Sequence, residues 1–188
     1  MKKDLGNVSG LYPMPVLMIA TYGEDGKVDV MNAAWGVMCD PDKIALSLTD
    51  SHKTVKNILK SKAFTVAPAD VKNLEAADFF GIASGNTMKD KFERTGYTAV
   101  KSKFVNAPVI EEFPVVMECE FLEKVVTDNV NFIVGRIVNT AADERVMTNG
   151  KIDPEKLEAI SFDTFGFGYY ATGKKVGTAW SSGKKLMK

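Results

Sequence analysis

The sequence predicts a mainly β protein, an antiparallel barrel with a few short inserted helices. Short apolar segments follow one another closely along the chain, and turn residues separate them. Segments with helical spacing are inserted between strands instead of alternating with them. Because a doubly wound parallel sheet needs regular alternation of strand and helix, the pattern favours the barrel.

The first strands are predicted from a hairpin pattern. A continuous apolar run, PVLMIATY, covers residues 15–22, and the turn GEDG follows it. Asp25-Gly26 between two apolar runs is a strong hairpin signal, so residues 28–35 are predicted to return as the second strand. Residues 43–49 (KIALSLT) are predicted to form a third strand.

Helices are predicted at four places along the chain. Thr54 is the predicted N-cap of a short helix that ends near Lys62 and buries an apolar face. Asp70 is predicted to cap a second helix, and Gly96 to terminate another over residues 87–95. Asp153 followed by proline predicts one more helix start.

The remaining apolar stretches are predicted to be strands. In residues 117–121 the apolar positions alternate with Glu118 and Glu120, which predicts a half-buried strand. A richer apolar run predicts a central strand at residues 130–138, and the segment AFTVA predicts another at 63–67.

Composition and charge exclude several classes of protein. The 188 residues are 45% hydrophobic and 26% charged, which suits one domain over residues 1–188. Equal numbers of basic and acidic residues, 24 each, argue against nucleic acid as a partner. The apolar run at residues 14–20 falls far short of the roughly 20 residues of a membrane span. Cys39 and Cys119 lack a CxxC partner, and the favoured interpretation is two free thiols in the cytoplasm.

The residue inventory also limits the chemistry. His52 is the single histidine, and no G-x-S-x-G nucleophile elbow is present. A structural zinc site needs about four Cys or His ligands, more than this chain contains. Neither a Walker loop nor a GxGxxG after a strand occurs. No catalytic residue and no metal ligand is therefore assigned from the sequence.

One phosphate-binding device remains, between the third predicted strand and the first predicted helix. Ser51, His52, Lys53 and Thr54 lie at a helix N-terminus, whose free N–H groups and partial positive charge attract anions. Lys53 adds a full charge and the two hydroxyls add donors, which suits a phosphomonoester. A capped helix with a solvated lysine is the alternative that spacing alone leaves open.

Two other segments suit a flat ligand with a charged edge. The small residues of Asn32-Ala33-Ala34-Trp35 would let a ring approach the backbone, and a packed alanine pair with Trp35 filling space is the alternative. Ser84-Gly85 offers hydrogen-bond donors, and Lys91 offers a positive charge. The alternative is that these residues only form a helix cap and a surface ion pair.

Several short motifs occur in order along nearly the whole chain. They are PMPV at 13–16, NAAW at 32–35, DP at 40–41, SLT at 47–49, KTxxNI at 53–58, FxV at 64–66, SG at 84–85, DKF at 90–92, ECE at 118–120, VGRIV at 134–138 and YYxxGxxVGxAW at 169–180. Each motif is loose, but together, in this order and spacing, they resemble the flavin reductase-like family, and most closely its flavoredoxin branch.

The resemblance implies a split antiparallel barrel with Greek-key connections that dimerises and holds FMN near the subunit interface. It implies that the Tyr169-Tyr170 tail helps to cover the cofactor. The cofactor-binding residues that it implies are Asn32, Ala33, Ala34, Trp35, Ser47, Leu48 and Thr49 along the isoalloxazine and ribityl chain, Ser51, His52, Lys53 and Thr54 at the phosphate, and Ser84, Gly85 and Lys91 completing the pocket.

One departure from the family pattern concerns the electron donor. Reductases of this family often carry Gly-Asp-His before the strand predicted at residues 130–138, and this chain has Thr127-Asp128-Asn129 there. The resemblance places that histidine near the reacting flavin and nicotinamide. Asparagine in its position favours a protein whose FMN stays bound.

Three functions are consistent with the sequence. The favoured one is an FMN-dependent oxidoreductase that passes electrons from NAD(P)H to flavin, ferric complexes or a protein acceptor. The second is an FMN-binding electron carrier that a partner reductase protein reduces. The third is a non-redox module that sequesters flavin or another flat ligand. None of the three functions involves nucleic acid or a membrane as a partner.

Overall fold

Antiparallel strands make up most of the protein. The computed structural model describes residues 1–187, and its strands are β1 Met14–Pro15, β2 Leu17–Tyr22, β3 Val28–Ala33, β4 Gly36–Asp40, β5 Lys43–Ser47, β6 Ala63–Pro68, β7 Ala99–Lys101, β8 Pro108–Ile110, β9 Val115–Thr127, β10 Val130–Ala142, β11 Met147–Thr148, β12 Lys151–Ile152, β13 Ile160–Phe162 and β14 Tyr169–Ala171. The α-helices are α1 Lys53–Ser61, α2 Leu74–Ile82 and α3 Pro154–Leu157. Short 3-10 helices cover Val71–Asn73, Glu93–Thr95, Glu144–Val146 and Lys184–Met187.

Seven strands form the main sheet, in the order β3-β2-β6-β9-β10-β5-β4. A second sheet has the order β1-β13-β14, and two-stranded pairs join β7 with β8 and β11 with β12. All of the strand pairs are antiparallel. The prediction of a mainly β, antiparallel fold with inserted short helices is confirmed.

Strand β2 is buried on both faces, which explains its continuous apolar sequence. Leu17 and Ile19 belong to one core cluster, and Met18 and Ala20 belong to the other. Successive side chains of a strand point to opposite faces, so β2 separates two cores. Helix α1 packs into the first core, whereas α2 packs into the second. The two helices therefore flank the strands that carry the candidate site.

The β2–β3 hairpin is confirmed, but the next strand boundaries differ from the prediction. The Gly23 N–H donates to the Lys27 carbonyl at 2.8 Å, which closes the predicted turn. Strand β3 ends at Ala33, and the unpredicted strand β4 begins at Gly36. Gly36 packs closely under β2 and β5 where the chain passes from β3 to β4: an added Cβ would overlap Leu17 and lie 2.8 Å from Leu46 Cδ2.

The first helix lies where it was predicted, but its cap does not. Helix α1 begins at Lys53, and His52 is the N-cap residue, without a side-chain capping hydrogen bond. Thr54 lies inside the first turn, and its hydroxyl donates to Asp29 Oδ2 at 2.5 Å. The prediction of Thr54 as N-cap is therefore wrong, because a buried carboxylate on β3 captures the hydroxyl.

The helix predicted over residues 87–95 is wrong as well. Only the 3-10 turn Glu93–Thr95 is helical, and Gly96 ends it in the left-handed region with φ of 68°. The preceding residues form turns around the Ser84 carbonyl, which accepts from the Met88 N–H at 2.8 Å. This loop folds around the buried Lys91 instead of continuing as a helix.

The two aspartate caps are confirmed, whereas one glutamate is more buried than predicted. Asp70 accepts from the Asn73 N–H at 2.8 Å, and Asp153 accepts from the Glu155 N–H at 3.0 Å. Glu118 of β9 is 3% exposed and accepts hydrogen bonds from Ser102 and Asn139. Its strand therefore lacks the simple alternation predicted for residues 117–121.

The cysteines are unpaired, as predicted from their spacing. Cys39 is exposed and Cys119 is buried, and neither forms a disulfide. Burial, followed by the charge of Glu118, raises the pKa of the Cys119 thiol to about 12, so it stays protonated. No helix within residues 1–187 is long and apolar enough to cross a membrane.

Gly135 of β10 is a packing constraint that can be tested. An added Cβ would overlap the fully buried Phe64 ring, so we expect Gly135→Ala to lower the free energy of unfolding by about 1–3 kcal/mol. Gly10→Ala is the control, because an added Cβ there meets nothing within 4 Å, and we expect a change within about 0.5 kcal/mol. Urea unfolding measures both, and equal stabilities for the two variants would contradict this packing.

Candidate functional site

A cleft with two connected lobes lies between β3, β5, α1 and α2. The wide lobe has a volume of about 540 Å³ and is lined by Val16, Met31, Asn32, Ala33, Ala34, Trp35, Ser47, Leu48, Thr49, His52, Asp78, Gly81, Phe162 and Tyr169. The narrow lobe has a volume of about 310 Å³ and is lined by Met31, Asn32, His52, Lys53, Thr54, Phe80, Gly81, Ile82, Ala83, Ser84, Gly85 and Lys91. The lobes share Met31, Asn32, His52 and Gly81, so they form one continuous cleft.

The wide lobe is shaped for a planar ligand. Ala33 and Ala34 leave the end of β3 without bulky side chains, so a ring can approach the backbone. Trp35 is 59% exposed at the mouth, and its ring centroid lies 6.3 Å from that of Phe162. The second sheet thus contributes an aromatic side chain that faces the end of β3 across the lobe.

Two hydrogen bonds fix polar groups of the wide lobe. The Tyr169 hydroxyl donates to Asp78 Oδ1 at 2.8 Å. The Asn32 amide, which lines the same lobe, donates to the Ala77 carbonyl at 3.0 Å. Burial, followed by the hydrogen bond to Asp78, raises the pKa of Tyr169 to about 12, so the hydroxyl keeps its proton at neutral pH.

The narrow lobe faces the N-terminus of α1. The N–H groups of Lys53, Thr54 and Val55 have no hydrogen-bond acceptor among residues 1–187, and no acidic residue lies in this first turn. Free N–H groups and the helix dipole make such an end attractive to an anion. Lys53 lines the same lobe and makes no ion pair within the described chain. This end of the cleft suits a phosphate group.

A buried carboxylate organises the wall of the narrow lobe. Asp29 accepts from the Thr54 hydroxyl, and its Oδ1 lies 3.3 Å from the Lys91 ammonium. The Lys91 side chain is 4% exposed and also donates to the Ala83 carbonyl at 3.4 Å. Gly85 packs so closely that an added Cβ would overlap Asp29. Lys91 lines the lobe as predicted, but its charge is offset by Asp29 and it forms no surface ion pair.

His52 lies where the two lobes meet. Partial burial, followed by the charge of Lys91, lowers the pKa of His52 below its ordinary value, while Asp29 acts in the opposite direction. The imidazole is therefore neutral at pH 7. An anion bound in the narrow lobe would favour the charged form and raise this pKa.

The structure brings nearly all of the sequence-predicted residues to one cleft. Asn32 to Trp35 and Ser47 to Thr49 line the wide lobe, and Lys53, Thr54, Ser84, Gly85 and Lys91 line the narrow one. Ser51 is the exception: it is exposed and lines neither lobe, and its carbonyl accepts from the Asn86 amide at 2.9 Å. The prediction that the Ser51 hydroxyl adds a donor to the site is therefore unsupported.

Sequence reasoning missed several lining residues, which are Val16, Met31, Asp78, Gly81 and Phe162. Asp78 and Gly81 lie one helical turn apart on α2, so they share one face of the helix. A polar and a small residue on one face was a sequence signal that this face could line a site. Phe162 comes from β13, and pairing of β13 with β14 brings Tyr169 to the same lobe. No local pattern relates that strand pair to the distant β3.

Comparison with known proteins identifies the class of protein that this fold and cleft define. The family model of the Flavin reductase like domain matches residues 9–155. The chain therefore belongs to the flavin reductase-like family, and its fold is the split barrel of that family.

Two solved structures show the more specific similarity. Flavoredoxin of Desulfovibrio vulgaris (Miyazaki F) is 32% identical with a TM-score of 0.91, covering 97% of this chain and 100% of that chain. Flavoredoxin from Methanosarcina acetivorans is 25% identical with a TM-score of 0.89, covering 100% of both chains. An uncharacterized protein of Aeropyrum pernix is 27% identical over 139 residues, which are 72% of this chain and 52% of that relative. The chain thus spans about half the length of that relative, and its resemblance to flavoredoxin is confirmed.

FMN is the cofactor that these relationships support, and the residues of the cleft fit it. The wide lobe offers a slot for the planar isoalloxazine with polar groups at its edge. The narrow lobe offers the free N–H groups of α1 and the Lys53 charge to a phosphomonoester. The lobes are continuous, so a ribityl chain can connect the two ends.

The position of His52 leads to a test of the cleft by pH. We expect the FMN affinity of the native protein, relative to His52→Gln, to rise by about twofold to fivefold between pH 8 and about pH 6, because protonation adds a positive charge beside the phosphate. Titration of the FMN phosphate affects both proteins equally, so it cancels in the ratio of their Kd values. Fluorescence titration of FMN gives both Kd values, and a ratio independent of pH would contradict a role for His52 at the phosphate.

Proposed function

We propose that this protein is an FMN-binding flavoprotein of the flavoredoxin type that transfers electrons through its bound cofactor. The observation that supports this most is the pairing of a planar slot with an open helix N-terminus in one cleft. Bound FMN would itself supply the electron and hydride chemistry. The protein would bind, orient and shield it, so no acid–base pair is assigned.

The phosphate would be held by groups that need no proton transfer. The first-turn N–H groups of α1 would donate to it, and Lys53 at the same helix end would add a positive charge. Thr54 is committed to Asp29, so its backbone N–H and not its hydroxyl would bind the anion. Ser84 lies across the lobe and offers a hydroxyl.

The ring would be positioned by the end of β3 and by α2. Ala33 and Ala34 form a wall without bulk, whereas Asn32, Asp78 and Tyr169 offer polar atoms at its edge. Trp35 and Phe162 restrict access from solvent at the mouth. These residues set the orientation of the ring, which controls where an electron donor or acceptor can approach.

The electron donor is either NAD(P)H or a redox partner protein. The tip of the β9–β10 hairpin adjoins the wide lobe, because the Leu48 N–H donates to the Asn131 carbonyl at 3.1 Å. Asn129 at this tip stands where the family resemblance places a histidine in nicotinamide-dependent reductases. This difference favours an electron carrier over an NAD(P)H-dependent reductase. A partner reductase would then be the electron donor.

Anaerobic spectroscopy separates these donors. Purified protein with FMN is treated first with NADH or NADPH and then with dithionite, and the visible absorbance of the flavin is followed. Bleaching by a nicotinamide at catalytic rates supports the reductase, and bleaching by dithionite alone supports the carrier. A protein that does not bind FMN would overturn both proposals and leave the binding of another flat ligand.

The protein is further proposed to be a cytoplasmic homodimer. The chain after β14 carries large apolar side chains in solvent: Val176, Trp180 and Leu186 are 102%, 96% and 84% exposed. Val37 and Met38 on the edge strand β4 are also exposed. A second copy of the chain would cover such surface. Two unpaired cysteines support a reducing compartment.

Charge reversal at Lys53 tests the phosphate assignment. We expect Lys53→Glu to weaken FMN binding by about tenfold to a hundredfold and to leave riboflavin binding nearly unchanged, because riboflavin lacks the phosphate. Lys60→Glu is the matched control, since Lys60 lies on α1 outside both lobes and we expect FMN affinity within about twofold of native. Equal losses for FMN and riboflavin would contradict the assignment.

Removal of the C-terminal segment tests the dimer. We expect the native chain to sediment at twice the monomer mass of 20.5 kDa, and a chain ending at Ala171 to dissociate at least tenfold more readily. Analytical ultracentrifugation across a concentration series measures the two constants. A monomeric native protein would contradict the proposed assembly.

A further inference from the structure

Asp78 is the one formally charged side chain that lines the wide lobe, among the described residues. The other titratable groups there are neutral at pH 7, because the pKa of His52 is lowered and that of Tyr169 is raised to about 12. The remaining lining residues are apolar or carry hydroxyl or amide groups. The slot for the planar ring therefore contains an acid and no cation.

Asp78 is held in place within the lobe. It is half-buried on α2, and its Oδ1 accepts the Tyr169 hydroxyl at 2.8 Å. The second oxygen, Oδ2, has no hydrogen-bond partner among residues 1–187. The carboxylate is thus anchored through one oxygen, and its residue lines the wide lobe.

The positive charges of the cleft lie elsewhere and do not offset Asp78. Lys91 lies in the narrow lobe and is paired with Asp29 at 3.3 Å. Lys53 also lines the narrow lobe, where the phosphate of FMN would take up its charge. The field at the ring is therefore dominated by the nearby carboxylate.

This arrangement acts on the reduction equilibrium of the cofactor. Two-electron reduction of FMN takes up two electrons and one proton at neutral pH, so the ring gains one negative charge. A fixed carboxylate in the same lobe repels that charge and disfavours the reduced form. We infer that Asp78 lowers the reduction potential of bound FMN by making the protein bind reduced FMN less tightly than oxidised FMN.

The inference rests on the proposed function, because it requires FMN in this cleft. It adds that the protein works as a low-potential centre, which needs a strongly reducing donor and can reduce acceptors of higher potential. A tenfold change in the ratio of the two affinities corresponds to about 30 mV for a two-electron couple. The size of the effect is therefore measurable by potentiometry.

Neutralisation of Asp78 is the direct test. Asp78→Asn keeps the shape and an oxygen that accepts from Tyr169, and we expect the ratio of Kd for reduced to oxidised FMN to fall about tenfold or more, raising the potential by about 30 mV or more. Glu75→Gln is the matched control: it removes one charge from the same helix outside both lobes, and no change is expected. Potentials are measured anaerobically with xanthine and xanthine oxidase as electron source and reference dyes.

The outcomes separate this inference from the proposed function. Failure of the native protein to bind FMN would overturn the proposed function. FMN binding with an unchanged or lower potential in Asp78→Asn would overturn the role of Asp78 and leave the cofactor assignment intact. If that variant loses FMN or does not fold, the potential of Tyr169→Phe is measured instead. This variant removes the hydroxyl dipole that offsets the carboxylate, so we expect its potential to be lower than that of the native protein. An unchanged or higher potential would contradict the inference.

Discussion

The cleft depends on one buried carboxylate. Asp29 on β3 binds the Thr54 hydroxyl of α1 and the Lys91 ammonium of the loop after α2, so a single residue joins the three segments around the narrow lobe. A buried carboxylate is costly unless its charge is paired and its oxygens are hydrogen-bonded. Because both partners satisfy this need, the helix N-terminus is fixed where its free N–H groups face the cleft.

The two lobes divide the charge of the site between them. The narrow lobe has the free helix N-terminus and Lys53, whereas the wide lobe has Asp78 and no cation. Affinity for an anionic cofactor can therefore come from its phosphate end, while the environment of its ring is set separately. Such a separation lets a protein hold FMN tightly and still keep the reduced ring unfavourable.

Local patterns predicted much of the fold and three candidate segments of the cleft, whereas the family resemblance added Ser47 to Thr49. The β2–β3 hairpin follows from its apolar run and Asp25-Gly26, and the start of α1 follows the end of β5 as predicted. Thr54 as cap and the helix over residues 87–95 were wrong because distant Asp29 overrides local preference: it accepts from the Thr54 hydroxyl and pairs with the buried Lys91. Asp78 and Gly81 share a face of α2, but no sequence spacing relates that face to β3.

A crystal structure of the protein with FMN would locate both ends of the cofactor. We expect the phosphate within hydrogen-bond distance of the N–H groups of Lys53, Thr54 and Val55. We expect the isoalloxazine in the wide lobe beside Ala34 and Asp78. A phosphate bound away from the N-terminus of α1, or a ring outside the wide lobe, would contradict the proposed binding mode.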